Sequence, residues 1–279
     1  MFDVAHPEIQ AAVERALAED IGSGDVTSEL TIPAGLNASG SFIAKQAMVL
    51  AGVELLPIIY ATRGAADLHL LKQSGEWLEK SDVIATVDGS ARTLLECERV
   101  ALNFMQRLSG VATLARQHVD AVAGTKVRVL DTRKTTPGLR QLEKMAAAAG
   151  GATNHRIGLF DAVLIKNNHI TAAGGVRQAL ESTREFAGQV EIEVRTPAEL
   201  EEALAWGAKS LLLDNLTPSE AAEWVRHVAG RATTELSGNI NLANIRAYAE
   251  AAPDFISCGA ITHSAIAVDI SFRLELHQH

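Results

Sequence analysis

Cationic side chains stand at the ends of two short apolar runs, where packing alone gives them no partner. Val127 to Leu130, interrupted by Arg128, reads as a buried strand that stops at Asp131-Thr132-Arg133-Lys134, with the turn signal Pro137-Gly138 behind it. Ala162 to Ile165 is a second such run, preceded by Asn154-His155-Arg156 and closed by Lys166 and Asn167-Asn168-His169. A charge in such a place needs either a local carboxylate or an anionic ligand. Between Arg92 and His169, twelve Lys or Arg face six Asp or Glu, a local excess of +6 in a chain whose formal net charge is −9. A solvated basic face is the common reason for a charge run. Here the cations sit singly at strand ends, which favours a pocket for a small polyanion. The acidic total argues against a nucleic-acid surface, which asks for a broad basic stripe and a high pI.

These residues need a scaffold, and 279 residues at 47% hydrophobic can bury the core of one large domain or two smaller ones. No apolar run approaches the roughly 20 residues of a membrane helix. The amphipathic, acidic N-terminus lacks the basic-then-apolar pattern of a secretory signal. Cys97 and Cys258 lie far apart and match no metal spacing. A cytoplasmic protein with both thiols as packing residues is therefore expected.

Ile9, Ala12, Val13, Ala16 and Leu17 recur at helical spacing, with Gly22 as C-cap. Asp25 to Ser28 reads as a turn, Phe42 to Leu50 as a strand, and Val53 to Thr62 as a helix despite Pro57. Short strands follow around Leu68 to Leu71 and Val83 to Val87. A long helix is expected from Thr93 to Leu108, ended by Ser109-Gly110, with Arg99 and Asn103 sharing a face. From spacing alone, Arg99 reads as a surface partner of Glu96 or Glu98.

Beyond Gly110, short apolar strands alternate with amphipathic helices. Their ends fall before Asp131, Lys166, Glu193, Asp214, Glu235 and Gly259, at intervals of roughly 21 to 27 residues from Lys166 onward, the period of βα units. Closed on itself, such a run is a β/α barrel, here incomplete with six or seven strands, preceded by an α/β sandwich domain. The expected division is 1–110 and 111–279, with a return of the last residues to the N-terminal domain left open. Active sites of such barrels lie at the C-terminal strand ends, so Arg133, Lys166, Glu193, Asp214 and Glu235 are expected to converge there. An open doubly wound sheet is the alternative, but no Gly-x-Gly-x-x-Gly follows a first strand.

Taken in order, ECERVALNFMQRLSGVAT, DTRKTTPGLR, NHRIGLFDAVLIKNNHI, VEIEV, LLLDN, ELSGN and ISCGAITHS resemble the motif set of the quinolinate phosphoribosyltransferases, the decarboxylating nicotinate-nucleotide pyrophosphorylases. The likeness runs from about Glu19-Asp20 almost to the C-terminus. It implies that quinolinate and phosphoribosyl pyrophosphate give nicotinate mononucleotide, pyrophosphate and CO2 with Mg2+, in at least a dimer with a site shared between subunits. On the matching positions, Arg99, Arg133, His155, Arg156 and Lys166 are the implied quinolinate ligands. Lys134 and Lys166 reach the pyrophosphate or ribosyl end. Glu193 and Asp214 are implied to hold ribose hydroxyls and Mg2+, directly or indirectly, and Ser237-Gly238 with Gly259 to His263 to bind the 5′-phosphate. Lys134, Lys166, Glu193 and Asp214 are the implied catalytic set. The chain departs from the family in having Asn239 where a second Gly is usual and Asn167 where an acidic residue is frequent. Asn tolerates the positive φ such a turn needs. Alternatives are a related protein of molybdate-uptake operons, a barrel aldolase using Lys166 as a Schiff-base nucleophile, and a non-catalytic anion-binding scaffold.

Overall fold

The structure is a computed structural model that describes residues 3–64 and 66–276. It divides into two compact units. The first comprises residues up to Arg116, Thr135–Gly151 and Thr262 onward; the second comprises Gln117–Lys134 and Ala152–Ile261.

In the first unit the helix Pro7–Ile21 ends on Gly22 at φ 55° and ψ −118°, a positive-φ conformation that glycine adopts without a Cβ penalty. Asp25 does not form a turn. Its carboxylate accepts from Ser28 N and caps the short helix Val26–Thr31. The strand read as one from Phe42 to Leu50 is two, β1 (Asn37–Ala44) and β2 (Met48–Val49). After a 3-10 turn and the helix Leu56–Ala61, with Pro57 in its first turn, come β3 (Ala66–Leu70), β4 (Trp77–Leu78) and β5 (Val83–Ser90). In β1 the side chains alternate, so that Ala38, Phe42 and Ala44 face the core.

The long helix corrects the sequence reading, since it runs from Ala91 to Ala121 straight through Ser109-Gly110. Ser109 is buried there; its hydroxyl accepts from Ala51 N and lies 3.2 Å from Ala51 O, so it can also donate. Gly110 is not a cap. A Cβ on it would stand 2.2 Å from the carbonyl oxygen of Ile266, so this glycine lets another backbone approach the helix.

The second unit carries β6 (Arg128–Leu130), β7 (Val163–Ile165), β8 (Val190–Val194), β9 (Ser210–Asp214), β10 (Thr233–Ser237) and β11 (Phe255–Ser257). All six are parallel, in the order β6-β11-β10-β9-β8-β7. The first strand thus lies beside the last and the others follow in sequence, which is the cyclic order of a β/α barrel left open between β6 and β7. At that seam Thr153 bridges the free edge of β6 at Leu130, and the chain continues to β7 through residues 154–162. A last strand, β12 (Ile270–Leu276), belongs to the first unit, where it pairs antiparallel with β1 in the sheet β12-β1-β5-β3.

One face of the parallel sheet is apolar, with Ile192, Val194, Leu211, Leu213 and Leu236 all buried. By strand alternation the other face carries Glu191, Glu193, Ser210, Asp214, Glu235 and Ser237. Carboxylates on an interior face need built-in partners, and the site supplies them.

Candidate active site

Lys166 follows β7, Glu193 is the penultimate residue of β8, and Asp214 and Ser237 end β9 and β10. Gly259 lies just beyond β11, and Arg133 three residues beyond β6. Because these strands are neighbours, one rim of the sheet collects three loops rich in cations and turns around two carboxylates. Glu235 is the exception to the expected convergence. It lies level with Glu193, both in register with Leu212, but its carboxylate stands beside His155 and β10 continues two residues past it.

Glu193 is 5% exposed and Asp214 half-buried, and both face Arg195, whose Nη2 lies 2.6 Å from Glu193 Oε1 and 3.8 Å from Asp214 Oδ2. The shorter contact is an ion pair without hydrogen-bond alignment, which leaves Glu193 Oε1 lacking an aligned donor. Two carboxylates that converge on one cation are a hard-oxygen donor set of the kind that suits Mg2+. Nothing in the sequence singled out Arg195; only the fold shows that it reaches back across its own strand end.

The turn after β10 has Gly238 at φ 99° and Asn239 at φ 53°. The Asn239 amide donates to Asn215 Oδ1, and Asn215 N donates to Ser237 O. Asn239 thus adopts the left-handed conformation that a second glycine would have offered. His263 is exposed at the end of the short helix Ala260–His263, beside the Ser264 hydroxyl. Arg99 is exposed on the long helix; of its two expected partners, Glu96 pairs with Arg63 at 3.0 Å, whereas Glu98 feels the charge of Arg99. Both belong to the first unit, and the remaining candidates to the second.

His155 and Arg156 open a different view. With Arg128, Thr153, Glu191, Ser210, Glu235 and others they line a cavity of about 500 Å³, towards the N-terminal ends of the strands. His155 Nε2 stands 3.4 Å from Glu191 Oε2 and 3.4 Å from Glu235 Oε2, and Ser210 Oγ donates to Glu191 Oε1 at 3.0 Å. Burial alone would lower the imidazole pKa, but hydrogen bonds and charge from the two glutamates outweigh it and push it up to about 9. Burial and the charge of Glu191 raise Glu235, against the opposing pull of His155. Arg156 is lowered by burial and then by the charge of Arg133, so two guanidinium groups are held within electrostatic reach of each other. Arg156 Nη1 donates to Ala162 O, and its buried Nε has no partner. Like charges gathered in this way are what an anionic ligand resolves.

The N-terminal domain profile of quinolinate phosphoribosyl transferase matches residues 25–109, and the C-terminal domain profile matches residues 111–273. The chain belongs to the quinolinate phosphoribosyltransferase family. Within the family, the probable nicotinate-nucleotide pyrophosphorylase (carboxylating) of Bacillus subtilis is 38% identical over 275 residues, covering 97% of this chain and 95% of its own. The chloroplastic nicotinate-nucleotide pyrophosphorylase of Arabidopsis thaliana is also 38% identical, over 97% of this chain and 84% of its own. NadC from Streptococcus pyogenes superposes with a TM-score of 0.94 at 36% identity, over 100% of both chains. The nicotinate-nucleotide pyrophosphorylase of Francisella tularensis gives 0.92 at 36% identity, over 96% of each chain. Human nicotinic acid phosphoribosyltransferase, at 14% identity over 96% of this chain and 73% of its own, shares the fold alone, with a TM-score of 0.61.

Sequence reading missed Asp131 as well as Arg195. Asp131 is fully buried at the end of β6, and its carboxylate accepts from His155 N at 2.8 Å and Asn154 Nδ2 at 2.7 Å. Its place in the DTRK motif was visible, but partners more than twenty residues away were not.

Proposed function

We propose that this chain transfers the phosphoribosyl group of phosphoribosyl pyrophosphate to quinolinate and decarboxylates the product to nicotinate mononucleotide, as the names of its relatives state for them. The observation that carries this reading is the cation set around the barrel seam, with Arg133 three residues beyond β6, Lys166 at the end of β7, and Arg156 lining the cavity with a buried Nε that has no partner among the described residues. A pyridine dicarboxylate offers planar, bidentate partners to such guanidinium groups.

The chemistry then follows from charge placement. Arg133 and Arg156, with Lys166, hold the ring carboxylates so that the ring nitrogen can attack the anomeric carbon as pyrophosphate departs. Glu193 and Asp214 stabilise the positive charge that develops on the ribose and orient its hydroxyls. Lys134 and Lys166 neutralise the leaving pyrophosphate, and the turns at Ser237-Gly238 and Gly259 to His263 hold the 5′-phosphate through backbone N–H groups. Once the nitrogen carries ribose it is cationic, so it accepts the electron pair left when the adjacent carboxylate leaves as CO2; the ring carbon then takes a proton. Mg2+ held by Glu193 and Asp214, directly or through water, would supply charge neutralisation for pyrophosphate.

Arg99 is placed here in the site of a second subunit, within a homodimer or higher assembly. A cytoplasmic location is part of the same reading. It is supported by Cys97 and Cys258, which are free and buried, as a reducing compartment allows. No described helix is long and apolar enough to cross a membrane. The aldolase alternative fits less well, because Lys166 is exposed, whereas an amine nucleophile needs burial or crowding by cations to lower its pKa.

The deciding experiment mixes purified protein with quinolinate, phosphoribosyl pyrophosphate and Mg2+ and follows nicotinate mononucleotide and CO2. Formation of both in equal amounts is expected. Neither product, together with borohydride trapping of a carbonyl substrate on Lys166, would establish the aldolase instead.

A further inference from the structure

We infer that Asp131, which touches no substrate in this reading, is the positioning residue that sets Arg133 and Arg156 in one constellation for the two carboxylates of quinolinate. The inference rests on the function proposed above. It starts from the open seam of the barrel, where no strand ladder fixes the chain that carries Arg156 relative to β6. The backbone there is tied by Thr153 N to Val129 O at 2.8 Å and by Asp131 N to Thr153 O at 3.1 Å. Beyond Thr153 the backbone pairing to β6 gives way to the Asp131 carboxylate. One oxygen accepts His155 N at 2.8 Å, and the other accepts Asn154 Nδ2 at 2.7 Å. Asp131 is fully buried and its two donors are part-buried, and hydrogen bonds to a buried carboxylate are charge-assisted and strong.

The geometry gives this one carboxylate two arms. Along its own chain it is two residues from Arg133, and through His155 it fixes the backbone one residue from Arg156. His155 is held from its other side by Glu191 and Glu235, each 3.4 Å from Nε2, and its Nδ1 accepts from Arg156 N at 2.7 Å. The segment before Arg156 is therefore gripped from two directions, and the Arg156 guanidinium donates from Nη1 to Ala162 O at 3.0 Å. Two guanidinium groups that repel each other drift apart unless their backbones are tied together, and Asp131 is the side chain that ties them.

The amide orientation makes the idea testable by exchange. An ionised carboxylate only accepts, so Asn154 must present its nitrogen to Asp131. Asn154→Asp sets two acceptors against each other at an exposed position, which spares the fold. The reciprocal pair Asp131→Asn with Asn154→Asp restores one donor and one acceptor, with the parent's total charge. Steady-state constants for both substrates are measured with Mg2+ present, alongside thermal midpoints.

Asn154→Asp should raise KM for quinolinate at least tenfold and narrow the preference for quinolinate over nicotinate, with KM for phosphoribosyl pyrophosphate within about twofold of the parent. Asn154→Ala, which removes one bond without adding charge, should fall between. The reciprocal pair should return KM for quinolinate to within about threefold of the parent although a carboxylate remains at position 154. Three results would overturn the inference: an unchanged KM for quinolinate in Asn154→Asp, both substrates affected equally, or no recovery in the reciprocal pair. A parent protein with no quinolinate-dependent activity would instead overturn the functional reading, and this inference with it.

Discussion

Lysine in place of Arg133 keeps the charge and removes the two-pronged donor, so it separates electrostatic attraction from geometry at the proposed quinolinate site. A point ammonium cannot make two parallel bonds to one carboxylate. Each charged hydrogen bond is worth roughly 1.5 to 3 kcal/mol, so Arg133→Lys, which loses one or both, should lower kcat/KM for quinolinate by about tenfold to ten-thousandfold. Activity within twofold of the parent would remove Arg133 from the site. His155 gives a prediction of another kind. Its pKa is pushed up from 6.5 to about 9 in the fold, so the folded protein holds that proton more tightly than the unfolded chain does. The resulting stability is present in full below about pH 6.5 and is lost as pH rises through 9. Thermal midpoints measured between pH 6 and 9.5 should fall for the parent and fall less for His155→Gln; parallel curves would show that the two glutamates do not charge the ring. Arg133 and Lys166 were legible in the sequence because a cation at a strand end has no packing explanation, and Arg156 through the likeness of its motif to the family's. The two glutamates around His155 were not, since Glu235 reads as a strand terminus and proves to be mid-strand.

At the scale of elements, the long helix shows where local rules stop. Ser109-Gly110 carries a termination signal, yet the helix continues to Ala121, because what glycine supplies there is room for the carbonyl of Ile266. Alanine at position 110 would gain up to about 1 kcal/mol of helix propensity. It would also force a methyl group into a backbone oxygen 2.2 Å away, and overpacking of this kind costs about 1 to 3 kcal/mol with no side chain able to yield. Gly110→Ala should therefore be destabilising, by about 1 to 2 kcal/mol in urea unfolding; a higher midpoint with unchanged slope would refute the close approach. Just before Ser109 on the same helix, Arg107 donates to the fully buried carboxylate of Glu143 and to the carbonyls of Thr262 and Ala265. That pairing gathers segments distant in sequence and left no trace in spacing or motif. The βα rhythm from Lys166 onward, by contrast, was readable because each unit repeats the same short strand, polar end and amphipathic helix.

At the scale of the whole molecule, the expected assembly makes a quantitative statement. If Arg99 serves a partner's site, Arg99→Ala and Lys166→Ala proteins are each inactive alone, and in a mixed dimer one site receives both substitutions and the other none. Subunit exchange should then restore activity towards about a quarter of the parent value, as random assortment in a symmetric dimer requires. No recovery, with exchange shown by mass, would leave Arg99 in its own chain's service or on the surface.

The pairing of β12 with β1 concerns the order of events at the ribosome. Ala44 must wait for Ile270, which emerges about two hundred residues later; at about 5 to 20 residues per second, that delay is on the order of ten to forty seconds. During that time the β1 edge that β12 will cover offers open backbone donors and acceptors to any passing strand. The nascent chain therefore has a period of vulnerability that the finished protein does not, and its length is set by translation speed. Slowing elongation in the last third of the message should cost yield of folded protein more than slowing it in the first third.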